Sequence, residues 1–129
     1  MKLNRIKYSD LNAKQKENYN FHKVAAALAE YGYNSMRLND DWQGADFIAV
    51  KDDSMLKIQL KGRFEVNKKY IGKDIIMAYI EDDEVKIFNH DEAVALLRDK
   101  TLNTMSWTDR GIYNWATTPD HFESIITVL

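Results

Sequence analysis

Cysteine is absent from the 129 residues, which excludes a disulfide scaffold and a Cys-ligated zinc and leaves the redox compartment open. Proline occurs once, at Pro119, and glycine only five times. No linker, internal repeat or low-complexity run divides the chain, and its length suits one domain spanning residues 1–129. No stretch approaches the ~20 apolar residues that span a bilayer. The opening MKLNRIKYSDLNAKQKENYN lacks the apolar segment of a secretory signal, so the expected location is the cytoplasm, away from any membrane. A strong charge excess is also missing. The net charge is -2 and the pI about 5.9, which argues against a protein that coats nucleic acid. A local basic surface that grips phosphates remains compatible with that balance. There is no Gly-rich phosphate loop and no recognisable Ser/His/Asp order. His22, His90 and His121 lack ligand-like spacing, and each is read as a surface or capping residue.

What is present is a regular alternation of elements. Residues 1–10 read as a polar arm. A helix is expected from Leu11 or Asn12 to Tyr31, with Asn12 as N-cap and Gln15 at the capping-box position. Phe21, Val24, Ala25 and Leu28 form its apolar stripe, and Gly32 its stop. A short strand is expected over Ser35–Leu38, then a polar loop Asn39–Gly44. Ala45–Val50 reads as a buried strand interrupted by Asp46, and Lys51–Ser54 as a hairpin turn. Met55–Val66 alternates, with Leu56, Ile58 and Leu60 on one face and Lys57, Gln59 and Lys61 on the other. Two more strands, Asp74–Ile80 and Glu84–Phe88, flank the acidic turn Glu81-Asp82-Asp83. A helix capped by Asn89 or Asp91 is expected to run to about Asp99. Residues 101–118 read as loop or short strands. Pro119 opens a terminal helix with Phe122, Ile125, Ile126 and Leu129 as its stripe. The fold class is α/β (α+β), a mixed central sheet flanked by helices.

The chemistry concentrates in Gly44-Ala45-Asp46 and Gln59-Leu60-Lys61. A carboxylate inside an apolar strand is costly unless paired or bound to a cation. Residues i and i+2 of a strand share a face, so Gln59 and Lys61 can stand beside Asp46 at one end of the hairpin. A carboxylate, an amide oxygen and an ammonium so placed suit metal-assisted phosphodiester hydrolysis, because Mg²⁺ takes oxygen ligands and substrate phosphate. The same residues also allow a cross-hairpin salt bridge between Asp46 and Lys61, with Gln59 a solvated strand residue.

From the first helix to Arg63 this pattern resembles the PD-(D/E)xK nuclease superfamily, in which a helix precedes a hairpin carrying Asp on one strand and (D/E)xK on the next. The resemblance implies a restriction-endonuclease-like core with Asp46 as metal ligand, Gln59 in the acidic place of a QxK variant and Lys61 as the motif lysine. Ala45 replaces the motif proline. The helix carboxylate of the family falls near Asn20 and Phe21, with Glu17 a turn earlier on the apolar stripe. The implied activity is Mg²⁺- or Mn²⁺-dependent cleavage of DNA, with Asp46, Gln59 and Glu17 as ligands and Asp46, Gln59 and Lys61 as catalytic residues. One site per chain implies a homodimer or sequential nicking for double-strand cuts.

Beyond that stretch, Lys57, Arg63, Lys68, Lys69 and Lys73 form a basic run that can track a nucleic-acid backbone. In the loop before Asp46, Asp41 and Gln43 are weighed as substrate contacts or as plain turn residues. The aromatic segment around Trp107, Arg110 and Trp115 reads as a lid packed on the sheet, with base stacking as the other possibility. Two alternatives stand beside the enzyme: a nuclease-like fold without catalysis that binds nucleic acid or protein, and a small partner of the immunity or antitoxin type.

Overall fold

The computed structural model describes residues 1–129. Its first regular element is α1, Ala13–Ala29. Asn12 caps it through a reciprocal box: its side chain accepts from the Gln15 N–H, and the Gln15 side chain accepts from the Asn12 N–H. Phe21, Val24 and Leu28 are its buried positions. Gly32, at φ 87°, turns the chain out of the helix in a conformation that a Cβ would resist.

Four strands follow: β1 Asn34–Trp42, β2 Ala45–Lys51, β3 Ser54–Leu60 and β4 Glu65–Asn67. The expected loop over Asn39–Gly44 is therefore mostly strand. β1 continues to Trp42 through an irregularity after Arg37, and Gln43-Gly44, at φ 51° and 86°, make the turn. The strand expected to run from Met55 to Val66 stops at Leu60, where the backbone leaves the sheet, and resumes as β4 in a separate two-stranded sheet with β7, Ile112–Asn114.

β5, Ile75–Glu81, and β6, Glu84–Asn89, are joined at Asp82-Asp83, both in the left-handed region. α2, His90–Ala95, is capped by the Asn89 side chain and ends early at Leu96. α3, Asp99–Leu102, and a π-turn, Ser106–Arg110, complete that part of the chain. Where a terminal helix is expected after Pro119, the structure has a 3-10 turn, Asp120–Ile125, and then β8, Thr127–Val128, paired with β6. The β-branched run Ile125-Ile126-Thr127-Val128 favours extended backbone over helix.

The central sheet has the order β1-β2-β3-β5-β6-β8. All its pairings are antiparallel except β3 with β5, which is parallel. Alternation along β5 divides the core between the two faces. Ala78, with Ile76 and Ile80 beside it, joins Phe21, Val24, Leu28, Phe47, Ala49 and Ile58 under α1. Ile75, Met77 and Tyr79 join Phe64, Val66, Tyr70, Phe88, Trp107 and Phe122 on the opposite face. Both Trp107, which is buried, and Trp115, which packs against Phe64 and Phe122, serve this second core. His90, expected at the surface, is fully buried, and its Nε2 accepts the Asn67 N–H at 3.0 Å. Burial pushes its pKa down, against the pull of Asp91, so the ring is held neutral.

Candidate functional site

The antiparallel pairing of β1 with β2 and of β2 with β3 brings three strand ends together: the end of β1, the start of β2 and the end of β3. The N-terminal half of α1 crosses the same place. Between them lies an open cavity of about 690 Å³, within the range of ordinary ligand sites. Asp46, Gln59, Lys61 and Glu17 all line it, as do Asp40 and Asp41 of β1.

Asp46 is fixed by a local substitution in the ladder. The last paired residues of β2 and β3 are Phe47 and Ile58. Beyond them the Leu60 N–H donates to Asp46 Oδ2 at 2.8 Å, so the side chain takes the role of a strand partner. Burial holds the Asp46 pKa above the ordinary aspartate value. The Leu60 N–H and the Lys61 charge oppose that shift, while Asp41 and Glu17 add to it. The carboxylate thus has like charge beside it and makes no ion pair, although Lys16, Arg37 and Lys61 also line the cavity.

Lys61 is close enough to act on Asp46 but does not pair with it. Its Nζ lies 3.2 Å from Glu65 Oε2 and 5.7 Å from the centre of the Tyr70 ring. Burial pulls the Lys61 pKa down, but Glu65 and Tyr70 outweigh it and leave the pKa raised. The ammonium stays charged. The cross-hairpin salt bridge between Asp46 and Lys61 is therefore absent, and Lys61 pairs instead with Glu65. Its position four residues after Lys61 was the available signal.

Gln59 is 9% exposed. Its Nε2 points to the Leu60 carbonyl at 3.4 Å, which leaves Oε1 free to accept. Glu17 sits on the wall formed by α1, held by Arg37 at 3.4 Å and Lys14 at 3.5 Å. Arg37 also donates to Asn18 Oδ1 at 2.7 Å and lies 4.6 Å from the Phe21 ring centre. Nothing in the sequence around Arg37 marks this role, because β1 and α1 meet only in the fold. No three His, Cys, Asp or Glu side chains converge into a ready-made cluster. The donors here are two carboxylates and an amide oxygen. That all-oxygen set fits the chemistry of a hard divalent cation, which keeps several waters and uses one or two carboxylates.

The basic run is only partly gathered. Lys57 Nζ is taken up by Gln43 Oε1 at 3.2 Å and by the Lys73 carbonyl. Lys69 lies 5.0 Å from the Tyr70 ring centre, the same ring that Lys61 approaches. Lys68 stands 5.2 Å from the Trp107 ring centre, while Arg63 and Lys73 are exposed. Gly44 packs directly on Tyr70: a Cβ there would lie 2.9 Å from Tyr70 Cδ1.

The arrangement of sheet and helices is a nuclease-like fold. The solved structure of a bacterial homing endonuclease matches it with a TM-score of 0.54 over 86% of this chain and 84% of that one, at 13% sequence identity. No protein-family model and no curated protein matches the sequence. No helix is long and apolar enough to cross a membrane.

Proposed function

We propose that the chain is a metal-dependent endonuclease of the PD-(D/E)xK type in its QxK form, hydrolysing DNA phosphodiester bonds. One observation carries this reading: Asp46 lies in one cavity with Glu17, Gln59 and Lys61, and the Lys61 ammonium is paired to Glu65 rather than to Asp46. A half-buried carboxylate without an ion pair has a place for a cation. The homing-endonuclease fold supports the same reading.

Asp46, Gln59 and Glu17 would hold Mg²⁺ or Mn²⁺. When bound, the cation supplies a Lewis acid for the phosphoryl oxygens and lowers the pKa of water beside it. The chain's own residues do the rest. The Leu60 N–H keeps the Asp46 carboxylate turned in one direction. Glu65 keeps Lys61 protonated, and the ammonium offsets the negative charge that grows on the phosphate oxygens as the bond breaks. Arg37 fixes Glu17 against the wall of the cavity. Lys69, Lys68, Arg63 and Lys73 extend the positive surface from Lys61 along the DNA backbone, while Lys57 serves mainly to tie β3 to the chain at Lys73. We place all of this in one domain with one site in the cytoplasm, so that a double-strand cut needs a second copy or a second nick.

The test is nicking of supercoiled plasmid by the purified protein with Mg²⁺ or Mn²⁺, with Asp46→Ala and Lys61→Ala beside the wild type. Metal-dependent nicking that disappears in both variants is the expected result. A wild type that leaves plasmid, single-stranded and branched DNA intact would transfer the reading to a binding module on the same fold.

A further inference from the structure

A second cavity, of about 350 Å³, adjoins the first. Tyr8, Asn20, Lys61 and Gly62 line both, so the two share a wall. The remaining lining of the second includes Tyr19, Lys23 and the aspartates of the β5–β6 turn, Asp82 and Asp83. The geometry points to a subsite for the nucleobase next to the scissile phosphate, with the base in this second cavity and its phosphate at the Lys61–Gly62 wall. This rests on the nuclease reading above.

Three features argue for a base. The first is the aromatic pair. Tyr8 and Tyr19 are 43% and 42% exposed, and their rings meet edge to face with centroids 5.2 Å apart. Tyr19 stands off the buried stripe of α1, and Tyr8 belongs to a short 3-10 turn with no buried residue. Neither ring serves a core. Tyr8 is nonetheless pinned, since its hydroxyl lies 3.2 Å from Asn20 Oδ1. Rings of this kind are stacking platforms for unpaired bases, whatever their sequence.

The second feature is charge. Lys23 donates to the Tyr19 hydroxyl at 3.3 Å and Lys16 Nζ lies 5.6 Å from the Tyr8 ring centre, so two cations flank the aromatic pair. The lining also includes Asp82 and Asp83, which repel a phosphate but accept hydrogen bonds from the exocyclic amines of bases. The cavity is therefore suited to a base, and the phosphate belongs at the wall where Lys61 stands.

The third feature is Gly62. Its φ is not in the left-handed region, and a Cβ built on it meets nothing within 4 Å. The fold does not require glycine there. What its missing side chain does is keep the wall between the cavities low, so that a sugar-phosphate can cross it.

The experiment measures binding of a short fluorescein-labelled single-stranded DNA by anisotropy in EDTA, so that no cleavage is needed, with inorganic polyphosphate as a competitor that has charge but no bases. Tyr8→Leu, Tyr19→Leu and Gly62→Leu are compared with the wild type. Loss of one stacked base weakens binding at least about fivefold. The tyrosine variants are expected to lose that much for DNA and nothing for polyphosphate. Gly62→Leu is expected to weaken DNA binding with an unchanged urea midpoint. Tyrosine variants that bind DNA as the wild type does, or a wild type that binds polyphosphate but not DNA, would overturn the subsite. Tyrosine-dependent binding in a protein that nicks nothing would keep the subsite and remove the nuclease reading instead.

Discussion

Replacing Asp46 by Asn separates the two roles of this residue, and the structure sets the size of each. The amide oxygen of Asn can still accept the Leu60 N–H that reaches Asp46 Oδ2 at 2.8 Å. Exchanging a charged acceptor for a neutral one costs about 1 kcal/mol. Against this, the substitution removes a carboxylate whose charge is disfavoured by burial and by Asp41 and Glu17. The two effects oppose each other, so the metal-free variant stays folded with a Tm within about 5 °C of the wild type, taking roughly 3–5 °C per kcal/mol for a chain of this size. Metal then distinguishes them. A cation at a hundredfold its Kd stabilises the folded state by about 2.7 kcal/mol, which is roughly 10 °C in Tm. Thermal unfolding followed by circular dichroism, with and without Mn²⁺, is expected to show that rise in the wild type and none in Asp46→Asn. The pH dependence has a fixed sign. Because the folded pKa is raised, the native state holds its proton where the unfolded chain has released it. Wild-type stability without metal therefore falls as pH rises from the ordinary aspartate range through the folded value. That segment of the curve is expected to flatten in Asp46→Asn. An equal Mn²⁺ shift in both proteins would refute the reasoning, since the cation would then be held elsewhere.

Gly44→Ala places a Cβ 2.9 Å from Tyr70 Cδ1 at a φ of 86°. Left-handed strain of about 1–2 kcal/mol plus crowding of about 1–3 kcal/mol should lower the urea midpoint clearly; an unchanged midpoint would show that Tyr70 yields freely. Glu65→Gln leaves Lys61 a neutral acceptor in place of its charged partner, with an expected loss of about 1 kcal/mol at neutral pH. The raised Lys61 pKa means that the pair's contribution is complete below the unfolded lysine value near 10.4 and is lost as pH rises through the folded one. Urea midpoints above about pH 10.4 should therefore fall in the wild type and stay level in the variant. His90, held neutral by burial, predicts a loss of stability as pH drops below about 6.5, because a protonated Nε2 cannot accept the Asn67 N–H. His90→Gln, which keeps an acceptor, should show a flatter acid limb; the same slope in both would assign it to other groups.

Local chemistry explains which elements the sequence discloses. The Asn12 and Gln15 capping box, the buried positions Phe21, Val24 and Leu28, and the hairpin from Ala45 to Leu60 all announce themselves through short-range patterns. The mixed sheet flanked by helices follows from their order. Elements at the margins of the sheet do not. β1 is an edge strand with mostly exposed side chains, so Asn39–Trp42 shows no alternation and reads as a loop. The alternation through Val66 hides the break after Leu60, where the Lys61 N–H turns to the Ala78 carbonyl. The spacing of Phe122 and Ile125 suits one helical turn as well as a full helix, and pairing of Thr127 and Val128 with β6 decides the matter. At the candidate site, Asp46, Gln59 and Lys61 are adjacent in a hairpin and can be read together. Glu65 lies only four residues from Lys61, so its pairing is local, whereas Arg37 acts through Glu17 on another element that only the fold brings near.

Asp46, with Gln59 and Glu17, is proposed to hold a divalent cation. Anomalous diffraction from crystals soaked in Mn²⁺ tests it without reference to any activity. A peak is expected about 2.0–2.3 Å from an Asp46 carboxylate oxygen, absent from crystals of Asp46→Asn. A wild-type map with no peak in that cavity, or with its strongest peak on another carboxylate, would contradict it.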